Sequence, residues 1–130
     1  MSTPTAAALV CLVALAGGEV AAMRSTAVAD EASPGATNPF HGEASLVPVG
    51  RSLFNQYCSH CHAPNATNPE PTKDLRRLRR RYGDRMTDVF YTTITGGRPT
   101  LGMPPWAGVL SEETIWKIFT FLESVQSGPE

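Results

Sequence analysis

The stretch that most constrains this chain is "CSHCH", Cys58 to His62, which places two cysteines and two histidines within five residues. A structural zinc site uses four tetrahedral nitrogen or sulfur ligands, usually as two pairs apart in sequence. No second cysteine pair exists here, and the only other histidine is His41. A redox C-x-x-C dithiol sits at a helix start after a strand in a βαβ unit. No such pattern surrounds Cys58. The motif instead ends a helical stretch.

C-x-x-C-H is also the attachment signature of c-type haem. Two thiols three residues apart can add to the two vinyl groups on one porphyrin edge. His62 then points its imidazole at the iron. Its other ring nitrogen needs an acceptor to fix its orientation, and a backbone carbonyl in the loop Ala63 to Pro71 is the expected one. His60 is expected to face solvent as a bystander. The expected cofactor is one haem c, bound covalently through Cys58 and Cys61, with His62 on the metal.

A sixth iron ligand is sought in "TGGRPTLGMPPWAGVL", Thr95 to Leu110. Met103 lies between Gly102 and Pro104, outside any helical pattern. Glycine lets the backbone pass close to a flat ring, and the prolines stiffen the approach. A thioether opposite a histidine raises the reduction potential. Met86 is the rival, but its helical spacing with Phe90 marks it as core. Arg98 and Trp106 flank the loop. Both are candidate partners for the two haem propionates, which take charge-assisted donors.

The surrounding chain is read as all-α. Helices are expected at Val49 to Cys58, at Thr72 to Tyr82, from an Asp84 cap through Ile94 to a stop at Gly96–Gly97, and from a Ser111 cap to Gly128. The last has the clearest apolar stripe: Ile115, Ile118, Phe119, Leu122 and Val125. Hydrophobic content of 42% against 18% charged marks a globular chain. Residues 49–127 form the expected haem domain. Four short helices give it a thin core, which a large buried cofactor would complete.

Residues 1–29 are read as a signal peptide and residues 30–48 as a flexible arm. Ala6 to Ala16, "AAALVCLVALA", is an apolar run too short to span a bilayer. Ala27–Val28–Ala29 offers the cleavage site, although no Lys or Arg precedes the run. Cleavage would remove Cys11, leave Cys58 and Cys61, and place the mature protein in the periplasm without stable membrane insertion.

The N-terminal helix leading into "CSHCH", the late "GMPPW" loop and the final "SEETIWKIFTFLESVQ" resemble the class I cytochromes c over Gly50 to Gln126. That resemblance implies that the first and last helices cross, with Gly50 and Phe54 against Trp116 and Phe121. The stretch "DLRRLRRRYGDRMTDVFYTTITGGRPTLGMPPW" resembles the cytochromes c that take electrons from periplasmic PQQ-dependent alcohol and methanol dehydrogenases, including the lanthanide-dependent kind. The implied function is one-electron carriage from such a dehydrogenase to a terminal oxidase or another cytochrome, without enzymatic activity. With both axial positions filled, no substrate need bind the iron. The competing readings are a haem enzyme or gas sensor with an open sixth position, and a fixed relay subunit of a larger complex.

Charge is uneven along the chain. Lys73, Arg76, Arg77, Arg79, Arg80, Arg81 and Arg85, against Asp74 and Asp84, give residues 73–85 a net +5, while the whole chain is −1. The run suits a solvated helix face, a docking patch for an acidic redox partner, or an anionic membrane or nucleic acid. Export and the lack of aromatics interleaved with the arginines argue against nucleic acid. One or two of these arginines are candidates for the propionates.

Overall fold

The computed structural model describes residues 35–127. The expected signal segment 1–29, the first residues of the expected arm and Gly128 lie outside the described residues. Five α-helices occur among those described: α1 Val47–Tyr57, α2 Ser59–His62, α3 Leu78–Tyr82, α4 Met86–Gly96 and α5 Glu112–Ser124. Short 3-10 turns at Ala44–Leu46, Pro64–Ala66, Leu75–Arg77, Gly83–Arg85 and Pro99–Leu101 lie between or before them. No strand forms among the described residues, only isolated bridges between Arg98 and Met103 and between Ala107 and Leu110. The all-α expectation holds.

The crossing of α1 and α5 organises the core. Pro48 sits in the first turn of α1, where its missing N–H leaves no bond unmade. The helix therefore starts two residues before the expected Val49. Gly50 and Phe54, four apart, form its buried face. A Cβ on Gly50 would lie 2.0 Å from the Lys117 carbonyl oxygen and 2.9 Å from Phe121 Cβ. Only a residue without a side chain lets the two backbones come this close. Phe54 packs on Phe121, with ring centroids 5.5 Å apart and planes tilted by 55°. Trp116 stacks on Tyr91 of α4 at 4.9 Å.

Helix α5 is buried around more of its circumference than its stripe suggested. Ile115, Trp116, Ile118, Phe119, Thr120, Phe121 and Leu122 are all buried. Besides α1 over Phe121 and Tyr91 over Trp116, part of the extra cover comes from residues 36–41, in the segment expected to be a flexible arm. Asn38 is only 5% exposed. Its side-chain amide donates to Thr120 Oγ1 at 3.1 Å and to Glu123 Oε2 at 2.6 Å. The Ala36 N–H donates to Asp88 Oδ1 at 2.6 Å. Polar side chains that pair across the chain thus fasten a stretch that carries no apolar period of its own. A last segment of that stretch, 47–48, belongs to α1.

The other boundaries shift for local reasons. Ser111 caps α5 as expected, its hydroxyl accepting the Thr114 N–H at 3.2 Å. Gly97, at φ +70°, ends α4 as expected. Asp84, expected as the cap of α4, lies inside the Gly83–Arg85 turn, and α4 begins after it at Met86. The helix expected over 72–82 begins later, because Asp74 starts it by accepting the Arg76 N–H at 3.0 Å. It also divides into a 3-10 turn and α3.

Candidate functional site

The C-x-x-C-H motif forms a turn of its own. Helix α1 stops at Tyr57, with the Cys58 N–H on the Phe54 carbonyl at 2.8 Å, and α2 follows. Within that turn the Cys58 carbonyl accepts the Cys61 and His62 N–H groups at 3.2 and 3.0 Å. Ser59 ties the turn to α1 by donating to the Asn55 carbonyl at 2.6 Å. Both thiols and the imidazole are therefore carried on one turn fixed to the end of the core helix. Both cysteines are free; Cys58 is half-buried and Cys61 exposed. Burial, reinforced by neighbouring Cys61, pushes the Cys58 thiol up to about 12. Among the described residues no three His, Cys, Asp or Glu side chains converge as a structural zinc site requires.

His62 is oriented from beyond the loop expected to hold it. Its Nδ1 lies 2.9 Å from the Lys73 carbonyl oxygen. A carbonyl only accepts, so Nδ1 carries a proton, and in the neutral ring Nε2 is then the nitrogen with the lone pair. Three carbonyls within 63–71 serve their own turns: Ala63 for the Ala66 N–H, Pro64 for Thr67, and Glu70 for the N–H groups of Lys73 and Asp74. Lys73 supplies the carbonyl that follows this last turn.

The loop after His62 is strained, a feature sequence reasoning missed. Ala63, Asn65 and Ala66 all have positive φ, 60°, 56° and 61°. A non-glycine residue there costs about 1–2 kcal/mol. Asn55 holds the loop in place: its Oδ1 accepts the Asn65 N–H at 2.9 Å, and its Nδ2 donates to Asn65 Oδ1 at 3.3 Å. Asn68 Nδ2 also donates to the Cys61 carbonyl at 2.9 Å.

Met103 sits, half-buried, in a loop pinned by backbone bonds. Arg98 N–H donates to the Met103 carbonyl at 2.8 Å, and Met103 N–H donates back to Arg98 at 3.1 Å. At the far end, Trp106 N–H donates to the Ile94 carbonyl at 2.9 Å. Gly97 lets the loop fold over the end of α4: a Cβ there would lie 2.5 Å from Pro105 N and 2.7 Å from Pro104 C. Met86 is buried in α4, as its spacing with Phe90 predicts.

Arg98 is exposed, its guanidinium 3.4 Å from Thr93 Oγ1. Trp106 is half-buried and meets the Tyr57 ring edge-on at 6.1 Å. Arg76 differs from its neighbours in the basic run. Its Nε is buried and has no hydrogen-bond partner. A buried donor without a partner costs about 1–3 kcal/mol, so an anionic acceptor suits this position. Only the residue type pointed to it in the sequence; nothing there separated Arg76 from the other arginines.

These residues fit a haem c. Two thiols and an oriented imidazole share one turn, a thioether is carried on a pinned loop, and the buried Nε of half-buried Arg76 lacks an acceptor. The comparisons with known proteins agree. The family model described as "Cytochrome C oxidase, cbb3-type, subunit III" matches residues 46–122. The chain is 32% identical over 96 residues to the cytochrome c550 of Pseudomonas aeruginosa, covering 68% of this chain and 65% of that one. It is 32% identical to the cytochrome c55X of the same organism, over 64% of this chain and 68% of that one. A quinohemoprotein alcohol dehydrogenase of Pseudomonas putida is 29% identical over 80 residues, 62% of this chain but only 11% of that protein. No solved structure matches. The chain belongs to the cytochrome c family, of which this oxidase-subunit model is one representative, and its cofactor is a covalently bound haem c with its iron.

Proposed function

We propose that this protein is an exported one-electron carrier that takes electrons from a periplasmic quinoprotein alcohol or methanol dehydrogenase and passes them to a terminal oxidase or another cytochrome. The observation that carries the reading is the hydrogen bond from His62 Nδ1 to the Lys73 carbonyl, which leaves Nε2 free for iron. Cys58 and Cys61 would hold the haem by thioethers, and the His62 imidazole and Met103 thioether would be the protein ligands of its iron. When bound, the haem supplies an iron that alternates between Fe(II) and Fe(III). The chain's own residues set the conditions for that change. The Met103 thioether favours the reduced state, while the Lys73 carbonyl makes the imidazole more electron-rich and opposes it. Arg98, Trp106 and Arg76 are the propionate partners in this reading. The strained Ala63–Ala66 loop and the pinned Arg98–Met103 loop hold the two ligands in fixed positions, so little rearrangement accompanies each electron.

The similarity to a quinohemoprotein alcohol dehydrogenase supports the choice of donor. The apolar run at Ala6 to Ala16 supports export, and among the described residues no helix is long and apolar enough to cross a membrane. The family model's own description favours a second reading, a fixed relay subunit of an oxidase. Stopped-flow mixing of the ferric protein with substrate-reduced quinoprotein alcohol dehydrogenase, over a salt series, tests the donor. Fast reduction that slows with salt is the expected result. No reduction, with the far-red Fe(III)–thioether band intact, would remove the dehydrogenase and keep the carrier. Stable copurification with an oxidase would replace the mobile carrier by the fixed relay.

A further inference from the structure

Asn55, in the last turn of α1, holds both flanks of the C-x-x-C-H turn. On the cysteine side its carbonyl accepts the Ser59 hydroxyl at 2.6 Å. On the other side its amide meets the loop that follows His62. Oδ1 accepts the Asn65 N–H at 2.9 Å, and Nδ2 donates to Asn65 Oδ1 at 3.3 Å. Both ends of the amide are used, so a side chain of the same size without one makes neither bond.

The amide holds a backbone that its neighbours disfavour. Asn65 itself, at φ 56°, is a residue type that tolerates the left-handed region. The two alanines around it are not. Ala63 has φ 60° and ψ 157°, a region that is essentially glycine's alone. Ala66, at φ 61°, is fully buried. Strain of this kind persists only where surrounding structure imposes it. The bonds from Ala66 N–H to Ala63 and from Thr67 N–H to Pro64 join residues that move together. Asn68 ties the loop to the Cys61 carbonyl at 2.9 Å, within the motif and not to the core. Burial of Ala66 fixes one point, and Asn55 fixes the residue beside it from a helix of the core crossing.

The strain matters because of where the loop leads. It leaves His62 and returns at Lys73, whose carbonyl oxygen lies 2.9 Å from His62 Nδ1. Imidazole and carbonyl are the two ends of one closed loop, and Asn65 lies on it. If Ala63 relaxes, the chain beside His62 moves and the distance between those ends changes. We infer that Asn55 is a positioning residue for the iron-binding imidazole: by holding Asn65 it keeps the strained loop in place, and with it the Lys73 carbonyl on His62 Nδ1. This deepens the reading above and rests on His62 being the iron ligand. The consequence is electronic. A carbonyl on Nδ1–H makes the ring a more basic ligand, which favours Fe(III). When the carbonyl retreats, Fe(II) is favoured and the midpoint potential rises.

The test uses three holoproteins: the wild type, Asn55→Leu, which keeps the bulk without the amide, and Asn55→Leu/Ala63→Gly, which removes the strain as well as its restraint. Redox titration reads the potential, and proton NMR of the ferrous state reads the imidazole. His62 ring protons shifted far upfield by the haem in the wild type report ligation. Their absence would take His62 off the iron and end the proposal together with the reading it rests on. With ligation established, Asn55→Leu is expected to favour reduction about tenfold, about 59 mV for one electron. Exchange of the His62 Nδ1–H with solvent should quicken by about tenfold as well. The far-red thioether band should stay. Adding Ala63→Gly should return potential and exchange most of the way to the wild type. The proposal alone is overturned if Asn55→Leu lowers the denaturation midpoint and leaves potential and exchange unchanged, because Asn55 is then only structural. It is also overturned if the double variant keeps the full shift, because the amide then acts without the strained loop. If Asn55→Leu gives no holoprotein, Asn55→Ser, too short to reach the Asn65 N–H, replaces it with the same expected and overturning results.

Discussion

The α1–α5 crossing and the two ligand-bearing loops are built by opposite means. The crossing is apolar and continuous: Phe54, Ile118, Phe119, Phe121 and Leu122 are fully or almost fully buried. Its closeness depends on Gly50. The loops 62–78 and 97–106 contribute only Ala66 and Leu78 to the buried core. They are held by hydrogen bonds: His62 by the Lys73 carbonyl, Met103 by a reciprocal pair with Arg98, and the 63–66 stretch by the Asn55 side chain. The crossing can therefore form from the chain's own chemistry, while the loops depend on what they enclose.

The largest effect should come from denying the loops their cofactor. Cys58→Ala/Cys61→Ala removes covalent attachment, and the thin core then lacks its central apolar group. Far-ultraviolet dichroism is expected to show lost helix, and melting to lose cooperativity. If that variant keeps native-like helix and a sharp transition, the contrast drawn above is wrong, and the crossing and loops stabilise each other without haem. Next in size is Gly50→Ala. A methyl 2.0 Å from the Lys117 carbonyl forces α1 and α5 apart, at about 3 kcal/mol, the upper range for overpacking. Denaturant titration of the holoprotein measures it. The far-red thioether band should survive in the folded fraction, because the Met103 loop lies elsewhere.

Gly97→Ala reverses that pattern. The new methyl meets Pro105 and Pro104 backbone atoms, and φ +70° is unfavourable for alanine. The expected cost is about 1–2 kcal/mol in global stability, but the thioether band should weaken or vanish. Equal damage to stability and ligation by both glycine variants would show that crossing and loop form one unit.

The helices were legible in the sequence from apolar periodicity and caps, and the crossing of the first and last from the resemblance to the class I cytochromes c. Ser111 caps α5 and Gly97 ends α4 where the residue types say they should. The C-x-x-C-H turn was legible because its chemistry needs particular side chains at fixed spacing. The loops were less so, because the groups that position His62 and Met103 themselves are main-chain atoms. Any residue has a carbonyl, so nothing in the letter at position 73 marks it as the acceptor for His62. The packing of residues 36–41 was missed for a related reason. Its anchor is the polar Asn38, whose pairing with Thr120 and Glu123 lies more than eighty residues away. A local clue was present, since Asn before Pro39 favours a turn closed by its own side chain; Asn38 Oδ1 accepts the Phe40 N–H at 3.0 Å.

The smallest expected effect concerns Arg76, and it sharpens the comparison because it asks what the loop region needs from the cofactor besides bulk. A guanidinium with a buried unpartnered Nε suits an ionised propionate. An adjacent cation favours the charged form of a carboxyl and lowers its pKa by about one to three units. In Arg76→Gln that pKa rises. As pH falls through the raised value, the propionate gains a proton and the negative charge near iron is lost. The reduced state then becomes easier to form, so the midpoint potential should climb with falling pH at a higher pH than in the wild type. Helix content and the thioether band should stay unchanged. Redox titration from pH 4 to 8 reads the shift directly. Superimposable potential–pH curves would place the propionates against Arg98 and Trp106 alone and leave Arg76 as a structural cation of the segment that begins at Lys73.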